Sequence, residues 1–225
     1  MAGTRYFTTE TFQFLRDLKA NNDRDWFAEN KSRYEEQIKA PALRLIQAFG
    51  EELPRISPHF AATPRSLYRI HRDTRFSKDK SPYKTAAGVH FRHEQAKTAH
   101  APGYYLHIAP GSVFLGVGSW RPESAVLRKI REHIAENPQD WKRASRAKKF
   151  TESFELAGES LKRPPKGFDP EHPQVEDLKR KDFIAVASVP DSFATASDLP
   201  ERLAETFSAG SPYMRFLCEA LGVPF

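Results

Sequence analysis

The chain has 225 residues, of which 39% are hydrophobic and 12% aromatic. That is enough apolar material for a packed core and argues against disorder. A single cysteine, Cys218, excludes an internal disulfide framework and a cysteine-based zinc site. The net charge of +6 is segregated: residues 65–84 hold seven cations against two anions and residues 121–149 nine against four, so the remainder is acidic on balance. Such segregation is what binders of phosphate groups and nucleic acids show.

No stretch approaches the ~18 apolar residues that cross a bilayer, and the opening Met-Ala-Gly-Thr-Arg-Tyr-Phe has no apolar signal core. The expectation is a cytoplasmic protein without a membrane partner. Thr8 or Thr9 is placed to cap a first helix with Phe12, Leu15 and Leu18 at helical spacing, and Asn21-Asn22-Asp23 stops it. Asp25 then caps a longer helix whose apolar stripe is Trp26, Tyr34, Ile38, Leu45 and Phe49. Pro41 is expected to kink or split that helix, and Pro54 and Pro58 to end it.

From Ser66 the period changes from helical to alternating. Tyr68, Ile70, Thr74 and Phe76 alternate with Arg69, His71, Asp73 and Arg75, which predicts a strand with one polar face and Arg72 misplaced on the apolar side. Residues 77–84 contain Pro82 and no apolar pattern, hence a loop. Val89 and Phe91 suggest a short strand, and 104–108 and 113–117 flank Pro110-Gly111 as a hairpin. Helices follow, one with Pro122 in its first turn and the stripe Val126, Leu127, Ile130 and Ile134, another from Asn137-Pro138 containing Trp141. Residues 158–178 read as a long connection, Phe183–Val189 as a strand, and Ser211-Pro212 as the start of a last helix closed by Gly222 and Pro224. Strands in succession through short turns imply an antiparallel sheet. The fold class expected is α+β: residues 1–225 as one domain, about four to six antiparallel strands with N-terminal and C-terminal helices packed on them.

The most prominent candidate site is the run from Arg69 to Lys84. Arg69, Arg75, Lys78, Lys80 and Lys84 are the expected anion-binding cations, with Tyr83 as a hydrogen-bond donor and Asp73 and Asp79 as orienting groups. Cations this dense repel one another, and a bound anion or interleaved carboxylates would offset that; the bland alternative is a solvated edge strand. Arg72, on the apolar side, reads as a structural partner of a carboxylate such as Asp23 or Asp25. The spacing Ser-x-x-Lys occurs at Ser77–Lys80 and Ser81–Lys84, but Pro82 argues against the helix that acyl-transfer chemistry needs, and a P-loop is excluded for lack of glycines.

Parity could put His90 and His107 on one sheet face with Arg92, and with His71 they could in principle hold a metal; ordinary scattered histidines are the plainer reading, so no metal and no cofactor are expected. The run Gly116-Val-Gly-Ser-Trp-Arg-Pro122 ends a strand with two glycines that let backbone approach something closely. The plainer reading is a tight corner into a helix whose first turn offers free N–H groups. The basic face formed by Arg128, Arg131, Lys142, Arg143, Arg146, Lys148 and Lys149 reads as solvated surface.

Asp25-Trp26-Phe27 with Asn30-Lys31 and Tyr34, then Arg69-Ile70, Asp73, Arg75-Phe76-Ser77-Lys78, Lys80 and Pro82-Tyr83-Lys84, then Gly116, Gly118, Trp120 and Pro122, resemble the domain-of-unknown-function family 2461. The likeness extends over nearly the whole chain. It implies a single full-length domain and adds weight to residues 69–84 as the functional surface, without bringing an activity. His71 stands where an aromatic or other residue is expected in relatives, which counts against a catalytic role.

Three functions follow from these residues. The first is binding of a phosphate-bearing or other anionic ligand, small molecule or nucleic acid, through 69–84. The second is an enzyme acting on a phosphorylated or carboxylated small molecule, with Asp73 or His71 as general base. The third is an interaction module for an acidic partner protein.

Overall fold

A computed structural model describes residues 5–96 and 101–225; Met1–Thr4, read above for a targeting segment, lie outside the described residues. Helix α1, Thr9–Ala20, is capped by Thr8, whose backbone N–H also donates to Thr11 Oγ1 at 3.2 Å. Helix α2, Arg24–Glu29, is capped by Asp23 and not by Asp25: Asp23 is extended, and its carboxylate accepts the Trp26 N–H at 2.9 Å.

Helix α3, Lys31–Tyr34, passes through a π turn, Glu35–Lys39, into α4, Ala40–Ile56. Pro41 therefore marks a π turn in the helical run and does not end it. The wider π turn takes up the ring, and Gln37 O, the carbonyl that Pro41 cannot bond, accepts Thr11 Oγ1–H at 2.9 Å. Pro54 lies inside the last turns of α4, which continues to Ile56.

Among the described residues six strands form one antiparallel sheet: β1 Phe60–Ala61, β2 Ala87–His93, β3 Gly103–Ala109, β4 Ser112–Ser119, β5 Glu155–Ala157 and β6 Phe183–Val189, in the spatial order β1-β2-β3-β4-β6-β5. The helices between and after them are α5 Ser124–Glu136, α6 Pro138–Arg146, α7 Lys148–Ser153, α8 Val175–Leu178, α9 Asp191–Ala194, α10 Leu199–Ala209 and α11 Ser211–Leu221, the last closed by Gly222 at φ 68°. The hairpin β3–β4 and the strands β2 and β6 fall where the sequence predicts them. Helix α10, with Pro200 in its first turn and Leu203 and Phe207 buried, has no counterpart in the sequence reading.

The strand predicted from Ser66 does not form. Residues 64–66 make a 3₁₀ turn, and the limb after it folds back on the 82–84 stretch through Arg72 N–H to Pro82 O (2.9 Å) and Lys84 N–H to Ile70 O (2.8 Å). A longer ladder is blocked because Pro82 has no N–H to donate. Phe76, expected on the apolar side, is 96% exposed at the tip.

The sheet has two unlike faces. On one, Val89, Phe91, Tyr104, Leu106, Leu115 and Val117 are buried beneath the helices, with Phe49 of α4 at 4.7 Å from Phe91 and Phe207 of α10 at 5.0 Å from Tyr104 (ring centroids). Trp141 of α6 sits in the same contiguous core, its Nε1–H donating to buried Asp177 at 2.8 Å. On the other face three cross-strand rows run over β2, β3, β4 and β6: Gly88–His107–Phe114–Ser188, His90–Tyr105–Gly116–Val186 and Arg92–Gly103–Gly118–Ile184. Tyr105, His107, Phe114, Ile184 and Val186 are only partly buried. Among the described residues no helix is long and apolar enough to cross a membrane.

Candidate functional site

The fold disperses the cations of 69–84. At the tip, Arg75 is held by Asp73 in a forked pair (Nη2 to Oδ2 2.7 Å, Nε to Oδ1 3.0 Å), and the guanidinium holds the Asp73 carboxyl down at about 2. Arg72 pairs with Asp79 at 2.5 Å and donates to Ser81 O at 3.0 Å. The carboxylate that Arg72 meets is thus Asp79 and neither Asp23 nor Asp25. Asp79 also accepts the Ser81 hydroxyl at 2.5 Å and backbone N–H at 2.9 Å; these bonds first, and Arg72 after them, lower its carboxyl to about 2. Lys80 Nζ donates to Thr74 O at 3.0 Å, and Lys84 Nζ to Arg69 O at 2.7 Å. Ser81 and Lys84 therefore have separate partners, and neither Ser-x-x-Lys match forms a pair.

A cleft of about 760 Å³ opens between the Asn22–Arg24 turn and this limb. Arg24, His71, Arg72 and Lys80 line it, with Tyr83 as a wall. The Tyr83 ring is buried, stacked on Phe27 at 4.1 Å, and its backbone is clamped by Asn22, whose side chain accepts Tyr83 N–H and donates to Tyr83 O, each at 3.0 Å. The carboxylate at the cleft, Asp23, is engaged as the cap of α2. Of the residues expected to bind the anion, Lys80 and Tyr83 reach this cleft, as do His71 and Arg72, which the sequence suggested for other roles; Arg69, Arg75, Lys78 and Lys84 do not line it. Arg24 was missed, because only the tertiary fold brings the α1–α2 turn against the limb.

A second hollow, about 450 Å³, lies on the uncovered face of the sheet. Its floor is backbone: Gly103, Gly116 and Gly118 occupy neighbouring positions of β3 and β4. A Cβ on Gly103 would stand 2.3 Å from His90 Nε2, so the histidine ring needs that glycine. The walls are Tyr68, Tyr105, His107, Phe114 and Trp120. Tyr68 OH shares a hydrogen bond with His90 Nδ1 and Tyr105 OH one with His107 Nδ1, each 3.0 Å. Burial pushes the two phenols up and the His107 imidazole down. Parity had placed His90, His107 and Arg92 on one face, as found, while His71 lies at the other cleft. No group of three or more His, Cys, Asp or Glu is placed to hold a metal among the described residues.

Cations stand around this hollow without lining it. Lys84 Nζ lies 5.3 Å and Arg92 Cζ 5.7 Å from the centroid of the Tyr68 ring, and Arg121 Cζ 4.8 Å from that of Trp120. Burial first, then the charge of Arg69, lowers the Lys84 pKa. The Trp120–Arg121 corner is held by buried Asp182, whose carboxylate accepts the Arg121 N–H at 2.7 Å and the Glu159 N–H at 3.0 Å. Arg121 takes φ 49°, a conformation that needs such a clamp.

Part of the second basic block is paired: Arg128 with Glu132, Arg143 with Asp140 and Lys148 with Glu152, while Arg146 and Arg180 converge on Asp177. Arg131 is buried and donates to Arg180 O at 2.7 Å.

No curated protein and no solved structure matches the chain. A family model described as "Conserved hypothetical protein (DUF2461)" matches residues 10–216, the span that holds both hollows and every motif quoted above, and the chain belongs to that family.

Proposed function

We propose that the protein binds a small ligand bearing a phosphate or other anionic group in the cleft between the Asn22–Arg24 turn and the 71–83 limb. The supporting observation is the convergence of Arg24, His71, Arg72 and Lys80 on one concavity of about 760 Å³, where the lining cations outnumber the lining carboxylate, Asp23. Arg72 is fixed by Asp79 and Ser81, so its guanidinium meets an anion without first being ordered. A concavity of this volume suits a small molecule better than the flat face an acidic partner protein would want. Of the general bases considered for an enzyme, His71 lines the cleft, whereas Asp73 is tied to Arg75 at the tip.

Calorimetric titration with inorganic phosphate and with phenyl phosphate tests this. Saturable binding is expected, weakened roughly tenfold or more by the double change Arg24→Ala, Lys80→Ala, since each charged hydrogen bond is worth on the order of 1.5–3 kcal/mol. Lys78→Ala and Arg75→Ala should bind as the parent does. Absence of saturable heat with both compounds up to roughly 10 mM, a free energy of about 3 kcal/mol, would sink the reading.

A further inference from the structure

The hollow on the uncovered face of the sheet is assembled from four strands and a corner, and the anion cleft makes no use of it. Its floor lacks side chains at three adjacent positions, Gly103, Gly116 and Gly118. Two of these glycines are forced by neighbours: a Cβ on Gly103 would strike His90, and one on Gly118 would stand 2.0 Å from Phe183 O. Gly116 is different. Its Cβ would meet nothing closer than Tyr105 Cβ at 3.6 Å, so packing tolerates a side chain there and the bare backbone leaves open space. A glycine that packing does not require, in the middle of a floor, is where a ligand's flat surface can approach the sheet.

The walls say what kind of surface. Tyr68, Tyr105, Phe114 and Trp120 are aromatic, and Trp120 keeps 54% of its surface exposed at the rim, held there by the Asp182 clamp on the Arg121 backbone. The phenols and His107 are uncharged near neutral pH, since burial moves each away from its ionised form. No carboxylate lines the hollow. The charges nearby are cations: Arg92 ends the row Arg92–Gly103–Gly118 in register with the floor, and it and Lys84 both lie within 6 Å of the Tyr68 ring, at 5.7 and 5.3 Å. Neither has a salt-bridge partner among the described residues, and Arg92 Nε is buried without a hydrogen-bond acceptor. Stacking surfaces, a flat floor and, at one end, cations without a carboxylate partner suit a single class of occupant, and a volume of about 450 Å³ is that of a small-molecule site.

We propose that this face binds a planar aromatic or conjugated small molecule carrying an acidic group, its ring system on the glycine floor between Tyr105, Phe114 and Trp120, its acidic group at Lys84 and Arg92. The proposal is independent of the phosphate cleft, which shares no lining residue with this hollow.

The test uses the full chain and two fluorescent probes, the anionic 1-anilinonaphthalene-8-sulfonate and the uncharged N-phenyl-1-naphthylamine. Both should bind with one-to-one stoichiometry. Gly116→Leu, which places a side chain on the floor, should weaken both roughly tenfold or more while the thermal transition stays within a few degrees of the parent. Should Gly116→Leu not fold, Val186→Phe, at the position paired with Gly116 on β6, fills the same hollow and carries the same expectation. Lys84→Ala with Arg92→Ala should weaken the sulfonate roughly tenfold and leave the uncharged probe within about twofold. Equal binding by a folded Gly116→Leu or Val186→Phe variant overturns the site. Equal losses for both probes in the cation variant overturn the acidic part of the ligand. Binding of many probe molecules, unaffected by any variant, marks general apolar adsorption and also overturns it.

Discussion

The 65–84 segment and the uncovered sheet face hold their polar groups by opposite means. In the segment, cations are held by groups of the segment itself: Arg75 by the Asp73 carboxylate, Arg72 by that of Asp79, and Lys80 and Lys84 by the carbonyls of Thr74 and Arg69. On the sheet face, uncharged groups bond one another, Tyr68 to His90 across the fold and Tyr105 to His107 along β3, above a floor of glycine, and no carboxylate lines the hollow. Local charge density therefore overstates how many cations are free to meet a ligand. Arg24, outside the dense run, is brought to the cleft, while Arg75 and Lys78, inside it, do not line it. The sheet face teaches the converse: a site can be built with little charge in any one stretch.

The strongest challenge to this contrast is Gly118→Ala. Gly118 sits at φ 114°, and a Cβ would stand 2.0 Å from Phe183 O, so the variant must strain the backbone and break the β4–β6 contact. A loss of about 3–5 kcal/mol is expected, a fall of roughly 10 °C in Tm for a chain of this size. Gly116→Ala, two residues away, should stay within about 0.5 kcal/mol. If the two behave alike in a thermal melt, the distinction between a packing glycine and a floor glycine fails.

A smaller effect separates wall from tip in the basic segment. Tyr83→Ala removes a buried ring stacked on Phe27 and should cost about 3 kcal/mol, whereas Lys78→Ala, at the exposed tip, should be neutral within about 0.5 kcal/mol. Urea unfolding of both variants checks this, and a neutral Tyr83→Ala would return that tyrosine to the surface.

The smallest effect is one of pH. The Asp79 carboxyl is lowered in the folded chain to about 2, so its bonds to Ser81 and Arg72 are fully present above the ordinary aspartate value near ~4 and are lost as the pH falls through about 2. Amide exchange at Ser81, whose N–H Asp79 accepts, should accelerate over that window relative to amides of β3. Exchange unchanged down to about pH 2 would mean that Asp79 does not hold the limb.

Much of the frame is legible in the residues alone. The Thr8-Thr9 pair announces the start of α1, Pro110-Gly111 announces the β3–β4 hairpin, and the alternation of β2, β3 and β6 assigns their faces, because these signals act between neighbours in the chain. Alternation misled at Tyr68–Phe76, where the limb meets β2 and the 82–84 stretch only at isolated bridges and Pro82 could not donate, leaving Phe76 in solvent. Pro41 does interrupt the regular helix, with a π turn, but how the run continues past it was not legible, because the hydroxyl that satisfies Gln37 O belongs to Thr11, on another helix.

By itself, then, the sequence determined the α+β class, the antiparallel order of the central strands and the existence of a basic segment, all consequences of local spacing and composition. Only the tertiary structure decided which cations pair with which acids, that Arg24 meets Arg72 and Lys80, and that Gly103, Gly116 and Gly118 lie side by side beneath Tyr105 and Trp120. Those are distances between residues far apart in the chain, set by strand register and by the closing of the core, and no local preference encodes them.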